Sequence, residues 1–105
     1  MTEEQLKYPI GKFNIPGEYN DILRTGFIER IEQFPEKLCV AIQGLDDVQL
    51  DTPYRNEGWT LRQVVHHCAD SHMNCHMRFK LALTEEKPVI KAYQEADWAE
   101  ISDSH

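Results

Sequence analysis

Side chains that could bind a metal are concentrated in one stretch, GWTLRQVVHHCADSHMNCHMRFK, which covers residues 58–80. It holds four of the five histidines and two of the three cysteines. A metal site on a single helix needs ligands three or four residues apart, because residues at that spacing share one face. Cys68, His72 and His76 have this spacing, and thiolate and imidazole are both good zinc ligands. The stretch therefore raises the hypothesis of a zinc site on one helix.

A structural interpretation competes with this hypothesis, and spacing alone favours it. His72 falls on the apolar side of the predicted helix, where it can hydrogen-bond a neighbouring helix, and His76 falls at the solvent edge. Triads on one helix that bind metal without outside ligands are uncommon. His67 lies on the flank of the apolar face, so it can be a ligand only if other helices bring the rest. Spacing alone therefore makes His67 a weaker candidate for a metal ligand than His72.

The helix that carries these residues is well defined in the sequence. Thr60 and Gln63 form a capping box, T-x-x-Q, and Pro88 stops the helix. Its apolar side recurs at alternating four- and three-residue steps, as Leu61, Val65, Cys68, His72, Cys75, Phe79 and Ala82. Such a stripe is typical of a helix that packs along one side. These features predict a helix over residues 60–84.

The remaining segments suggest an all-α chain with too few helices for its core. An earlier helix is predicted over residues 19–45 from apolar residues at three- and four-residue steps, and Pro35 should kink or split it. Residues 1–18 predict an extended arm, and residues 88–105 predict a loop with a short helical segment. Two long amphipathic helices can cover only each other, whereas bundle cores normally need three or four. We expect one partial domain over residues 1–105, or a second copy that completes the core.

Length, charge and cysteine use limit the class of protein. A chain of 105 residues allows a single small domain. Its net charge of −7 argues against nucleic acid or an anionic membrane as partner. No stretch reads as a signal peptide or membrane span, which predicts a cytoplasmic location. Cys68 and Cys75 would lie about 10 Å apart on one helix, too far for a disulfide, so reduced thiols are expected.

The run QLDTPYRNEGWTLRQVVHHCADSHMNCHMRFKLALTEEKPVIKAYQEADWAE closely resembles the DinB-like four-helix bundle superfamily. Within it, the chain is most similar to the YfiT/bacillithiol-transferase group of candidate metal-dependent hydrolases. The motif W-T-x-R-Q-V-V-H-H-x-A-D-S-H-M-N is specific to this resemblance, and YPIGKF near the N-terminus also fits. The resemblance implies antiparallel helices of an up-and-down bundle. It also implies a divalent metal, zinc or nickel, that serves hydrolysis or transfer of a low-molecular-weight thiol.

The resemblance also implies one metal ligand. In the superfamily a histidine eight residues after the helix-opening tryptophan is the first ligand, and eight residues after Trp59 stands His67. The other two ligands come from an H-x-x-x-H pair on the last helix of the family domain, whereas this sequence resembles only the first half. His72 and His76 have that spacing but lie on the wrong helix. The resemblance therefore implies His67 as the metal ligand and little activity from this chain alone.

Two alternatives to the family function stay open at this point. The chain could be a non-catalytic helical fragment or interaction module, with a homodimer rebuilding a four-helix core. A thiol sensor built on Cys68 and Cys75 would need a lowered thiol pKa. A small-molecule substrate is compatible with the family chemistry, and Arg78 could bind an anionic one if a pocket lies near it.

Overall fold

A computed structural model describes all residues from Met1 to His105, and its regular elements are all helical. In chain order they are α1 (Glu3–Lys7), α2 (Asp21–Ile42), α3 (Asp47–Leu50), α4 (Leu61–Thr84), α5 (Glu95–Ala99) and a 3-10 helix (Ser102–Ser104). The all-α class expected from the sequence is confirmed. The chain divides into two compact units, Met1–Asp46 and Asp47–His105.

The first unit is dominated by α2. The Asn20 side chain caps it by accepting a hydrogen bond from the Leu23 N–H at 2.8 Å. The helix is continuous through Pro35, so the split that Pro35 could cause does not occur. Gly44, two residues after the last helical residue, has a φ of +82°, a conformation that glycine adopts without steric cost. The helix thus spans Asp21–Ile42, within the predicted 19–45.

The N-terminal arm differs from the extended conformation predicted for residues 1–18, because it contains the short helix α1. The Thr2 hydroxyl accepts a hydrogen bond from the Gln5 N–H at 3.1 Å, and the Gln5 side-chain oxygen accepts one from the Thr2 N–H at 2.9 Å. This capping box satisfies two otherwise unpaired donors at the start of the helix. Pro9 and Gly11 follow α1, so these helix breakers leave room for one short helix before them.

The second unit is built on α4, whose start is fixed by local hydrogen bonds. The Thr60 hydroxyl accepts from the Gln63 N–H at 3.1 Å, and the Gln63 side-chain oxygen accepts from the Thr60 N–H at 3.0 Å. Arg62 ties α3 and the residue after it to α4 through ion pairs with Asp47 at 3.0 Å and Asp51 at 2.8 Å. The helix therefore begins where the capping box predicts.

The C-terminal segment folds back along α4, on a side that differs from the predicted apolar stripe. The Gln63 side-chain amide donates to the Ala99 carbonyl at 2.8 Å, and the Arg78 guanidinium donates to the Lys91 carbonyl at 3.1 Å. Gln63 and Asn74 are the two fully buried residues of α4. By contrast, no residue of the predicted stripe is fully buried, and Phe79 and Ala82 are exposed. Both buried amides have hydrogen-bond partners: that of Gln63 is the Ala99 carbonyl on the returning segment, and that of Asn74 is the Asp70 carbonyl within α4.

The apolar core is very small. Ala99, at 2% exposure, is the only fully buried apolar residue. Large apolar side chains on both long helices are exposed: Ile22, Ile28, Ile31 and Val40 on α2, and Met73, Met77, Phe79 and Leu83 on α4. Bundle cores normally need three or four helices, so two long helices leave apolar surface of this kind uncovered. None of the helices combines the length and apolar character that crossing a bilayer requires.

Candidate functional site

His67 lies half-buried in the second turn of α4, with its ring against Trp59. The two ring centroids are 5.0 Å apart and the ring planes are tilted by 53°. Trp59 is itself anchored, because its carbonyl accepts a hydrogen bond from the Tyr54 N–H at 3.1 Å. The loop before α4 thus brings an aromatic ring onto one side of the imidazole and limits the orientations that the imidazole can adopt.

The side of α4 that bears His67 is the side that the C-terminal segment covers. Gln63 lies four residues before His67 and Ser71 four residues after it, so all three share one face of the helix. Gln63 is 4% exposed and donates to the Ala99 carbonyl, and Ser71 lies beside Tyr93 of the returning segment. Sequence spacing favours the apolar stripe over this face as the buried side of α4, because the residues of this face are polar. The returning segment that covers it leaves no periodic pattern in the sequence.

The residues present do not form a complete metal centre. No three His, Cys, Asp or Glu side chains come together in a group that could hold a metal ion. Within the row predicted from spacing, Cys68 and His72 are half-buried and His76 is exposed. Catalytic zinc sites ordinarily take three protein ligands. The zinc site hypothesised for Cys68, His72 and His76 is therefore not formed, and a metal centre at His67 would need further ligands from elsewhere.

The surroundings of Cys68 disfavour an activated thiol. Cys39, Cys68 and Cys75 are all free of disulfides, as the sequence predicts for reduced thiols. Burial raises the pKa of the Cys68 thiol, because a buried site disfavours the charged thiolate. A sensor thiol requires the opposite shift. The thiol-sensor alternative consequently gains no support at Cys68.

A cleft of about 620 Å³ lies between the last turns of α4 and the segment that follows the helix. Met77 and Leu81 line it from α4, and Tyr93 and Trp98 line it from the returning segment. The rings of Tyr93 and Trp98 pack against each other, with centroids 4.6 Å apart and planes tilted by 51°. The volume falls in the range of small-molecule sites. Nothing in the sequence marks Trp98 as a site residue, because the fold-back that creates the cleft depends on tertiary contacts.

Tyr93 joins the cleft to the face of α4 that bears His67. The pKa of its phenol is raised, chiefly by desolvation and further by the carboxylates of Glu95 and Asp70. The hydrogen bond with Ser71 and the positive charge of Arg78 oppose this shift. Tyr93 is therefore a neutral hydrogen-bonding group at neutral pH.

Sequence comparison finds close relatives over almost the whole chain. The sequence profile of the DinB superfamily matches residues 30–104. A candidate metal-dependent hydrolase of Bacillus mycoides strain KBAB4 is 54% identical over 101 residues, which are 96% of this chain and 58% of that protein. A second candidate metal-dependent hydrolase, from Bacillus cereus strain B4264, is 54% identical over 99 residues, 94% of this chain and 57% of that protein.

Comparison with solved structures finds a relative of the same kind. YfiT from Bacillus subtilis, described as a candidate metal-dependent hydrolase with an unusual four-helix bundle topology, superposes with a TM-score of 0.89 at 50% identity. The match covers 95% of this chain and 57% of YfiT, so the chain spans a little under three fifths of the length of these relatives. The profile match over residues 30–104, together with this fold, shows that the chain belongs to the DinB superfamily.

Proposed function

We propose that this chain supplies part of a metal-dependent hydrolase or thiol transferase of the DinB type, with His67 as a ligand of zinc or nickel. The observation that carries the proposal is the placement of His67, half-buried on the covered face of α4 and held by the ring of Trp59. Relatives at 54% identity are named as candidate metal-dependent hydrolases, which supports the hydrolase assignment. Thiol transfer and a cytoplasmic location follow from the family resemblance and from composition, and both are proposals.

The proposal requires ligands from outside residues 1–105. A single imidazole cannot hold a catalytic metal, since three protein ligands are the usual number. No group of three potential ligands is present in the chain. We therefore expect little or no hydrolase or transferase activity from these 105 residues alone, whereas His67 should still be the preferred point of metal contact.

A titration with Ni²⁺ tests the role of His67. We expect the paramagnetic ion to broaden the imidazole NMR signals of His67 at lower concentration than those of the other histidines. His67→Ala should abolish this first binding event, and the matched variant His76→Ala, at an exposed histidine of the same helix, should leave it unchanged. If His76→Ala removes the binding event and His67→Ala preserves it, the ligand assignment is wrong.

A second candidate function is self-association through the exposed faces of the long helices, with another copy of this chain as the partner. The observation that favours it is the exposure of large apolar side chains such as Ile31 on α2 and Phe79 on α4. Two copies would contribute four long helices, the number that a bundle core normally needs. Sedimentation equilibrium over a range of concentrations tests this proposal, and a monomer at all concentrations would exclude it.

A further inference from the structure

We propose that the cleft beside the C-terminal half of α4 binds a small molecule that combines a carboxylate with an aromatic or aliphatic body. The cleft is lined mainly by apolar and aromatic side chains, and the charged residues in its lining are Arg78 and Lys91. No Asp or Glu lines it, although the chain as a whole carries a net charge of −7. Because the lining holds two positively charged side chains and no carboxylate, whereas the rest of the chain is acidic, the cleft favours an anionic ligand.

The guanidinium of Arg78 is held in place within the cleft. Its Nη2 donates to the Lys91 carbonyl at 3.1 Å, and the side chain is half-buried. An arginine side chain has five N–H donors, so this bond fixes the guanidinium and leaves donors that can pair with a carboxylate. The same bond brings the backbone of Lys91 beside Arg78, and Lys91 is the second cation in the lining.

The aromatic part of the lining suits the body of such a ligand. Tyr93 and Trp98 form a tilted pair with a centroid distance of 4.6 Å, and Met77 and Leu81 supply flexible apolar contacts from α4. Asp70 and Glu95, the carboxylates that raise the pKa of Tyr93, do not line the cleft. They weaken anion binding without blocking the site, so modest affinity is expected.

The proposed site is independent of metal binding. His67 does not line the cleft, whose residues lie between positions 74 and 98. A failure of the metal proposal would leave the cleft unaffected. In practice the ligand titrations are run with EDTA present, and His67→Ala should bind the probe as tightly as the unmodified chain.

The test uses two probes with the same aromatic body, 2-naphthoate and the neutral 2-naphthylmethanol. Each is titrated into the full chain at a concentration where sedimentation shows a single species, and the indole N–H signals of the two tryptophans are followed by NMR. We expect 2-naphthoate to move the Trp98 signal, to leave that of Trp59 in place, and to bind about threefold or more tightly than 2-naphthylmethanol.

Lys91→Gln is the decisive variant, because it removes a charge and keeps the carbonyl to which Arg78 donates. It should weaken 2-naphthoate binding about two- to fivefold and leave 2-naphthylmethanol binding unchanged. The matched control Lys80→Gln removes an exposed charge of α4 outside the lining and should change neither. Equal affinity for the two probes, equal losses in the two lysine variants, or equal shifts of both indole signals would overturn the proposal.

Discussion

At the scale of single residues, the contact between Trp59 and His67 is the most specific feature of the candidate metal ligand. The sequence places the two residues eight positions apart, and the structure brings their rings to a centroid distance of 5.0 Å. Because the first lies in the loop and the second on α4, the contact couples loop conformation to imidazole orientation. An unconstrained imidazole would lose more conformational entropy on binding a metal.

The energy of this contact can be measured by a double-mutant cycle. We expect Trp59→Leu and His67→Ala to show a coupling of about 0.5–1.5 kcal/mol in the free energy of unfolding, the usual range for aromatic pairs. Urea denaturation of the two single variants and the double variant gives this coupling. Trp59→Phe, which retains a ring, should keep part of it. Additive effects of the two substitutions would show that the rings do not stabilise each other.

Tyr93 should titrate above the usual tyrosine pKa of about 10. Its folded-state pKa is raised, mainly by desolvation, so the folded chain holds the phenolic proton more tightly than the unfolded chain does. The stabilisation is present below pH 10 and is lost as the pH rises through the folded-state pKa. The difference in ultraviolet absorbance between the unmodified chain and Tyr93→Phe, followed during an alkaline titration, isolates this group. A midpoint at or below pH 10 would contradict the expectation.

At the scale of elements, α4 starts at a local capping box. Thr60→Ala removes the hydroxyl that accepts from the Gln63 N–H, and it should lower the free energy of unfolding by about 1 kcal/mol. Urea denaturation followed by helical circular dichroism measures the loss. Thr60→Ser preserves the hydroxyl and serves as the control. A cost for the serine variant as large as that for alanine would mean that the methyl group, and not the cap, is responsible.

Gln63 has a second role, since it also holds the C-terminal segment on α4. Gln63→Glu keeps the oxygen that accepts from Thr60 but cannot donate to the Ala99 carbonyl. Losing that buried bond should cost about 1–3 kcal/mol and release the segment. Hydrogen exchange should rise for the amides of residues 99–104, while the first turn of α4 stays protected. Unchanged exchange in that segment would show that other contacts hold it.

At the scale of the whole molecule, the fully buried apolar core consists of Ala99 alone, and the apolar sides of both long helices remain exposed. So little fully buried apolar surface gives a thin stability margin. The proposed second copy would supply the missing contacts. In that case the stability of the chain becomes inseparable from its concentration.

Thermal unfolding at several protein concentrations tests this link. We expect the midpoint temperature to rise with concentration, because association stabilises the folded chain. Leu83, 83% exposed on α4, offers a matched variant: Leu83→Glu should weaken association and leave the unfolding of the dilute chain nearly unchanged. A midpoint that does not depend on concentration would remove the support for self-association.

What the sequence by itself determined is local. The sequence predicts the all-α class, the N-cap of α4 at Thr60 and the helix that follows it. These features depend on side chains that act on their own backbone within a few residues. The short helix α1 was missed, although its capping box at Thr2 and Gln5 was readable in the same way. The prediction of His67 as a metal ligand rests on the family motif, because the spacing of residues along the helix favours His72 over it.

Only the tertiary structure decided which side of α4 is covered. That choice depends on contacts between residues far apart in the chain, such as Gln63 with Ala99 and Arg78 with Lys91. These contacts bury a polar face, which hydrophobic periodicity cannot reveal because periodicity detects only apolar surfaces. The same fold-back creates the cleft beside Trp98. Helix positions were thus readable from short-range chemistry, whereas the burial of the face that bears His67 required the returning segment.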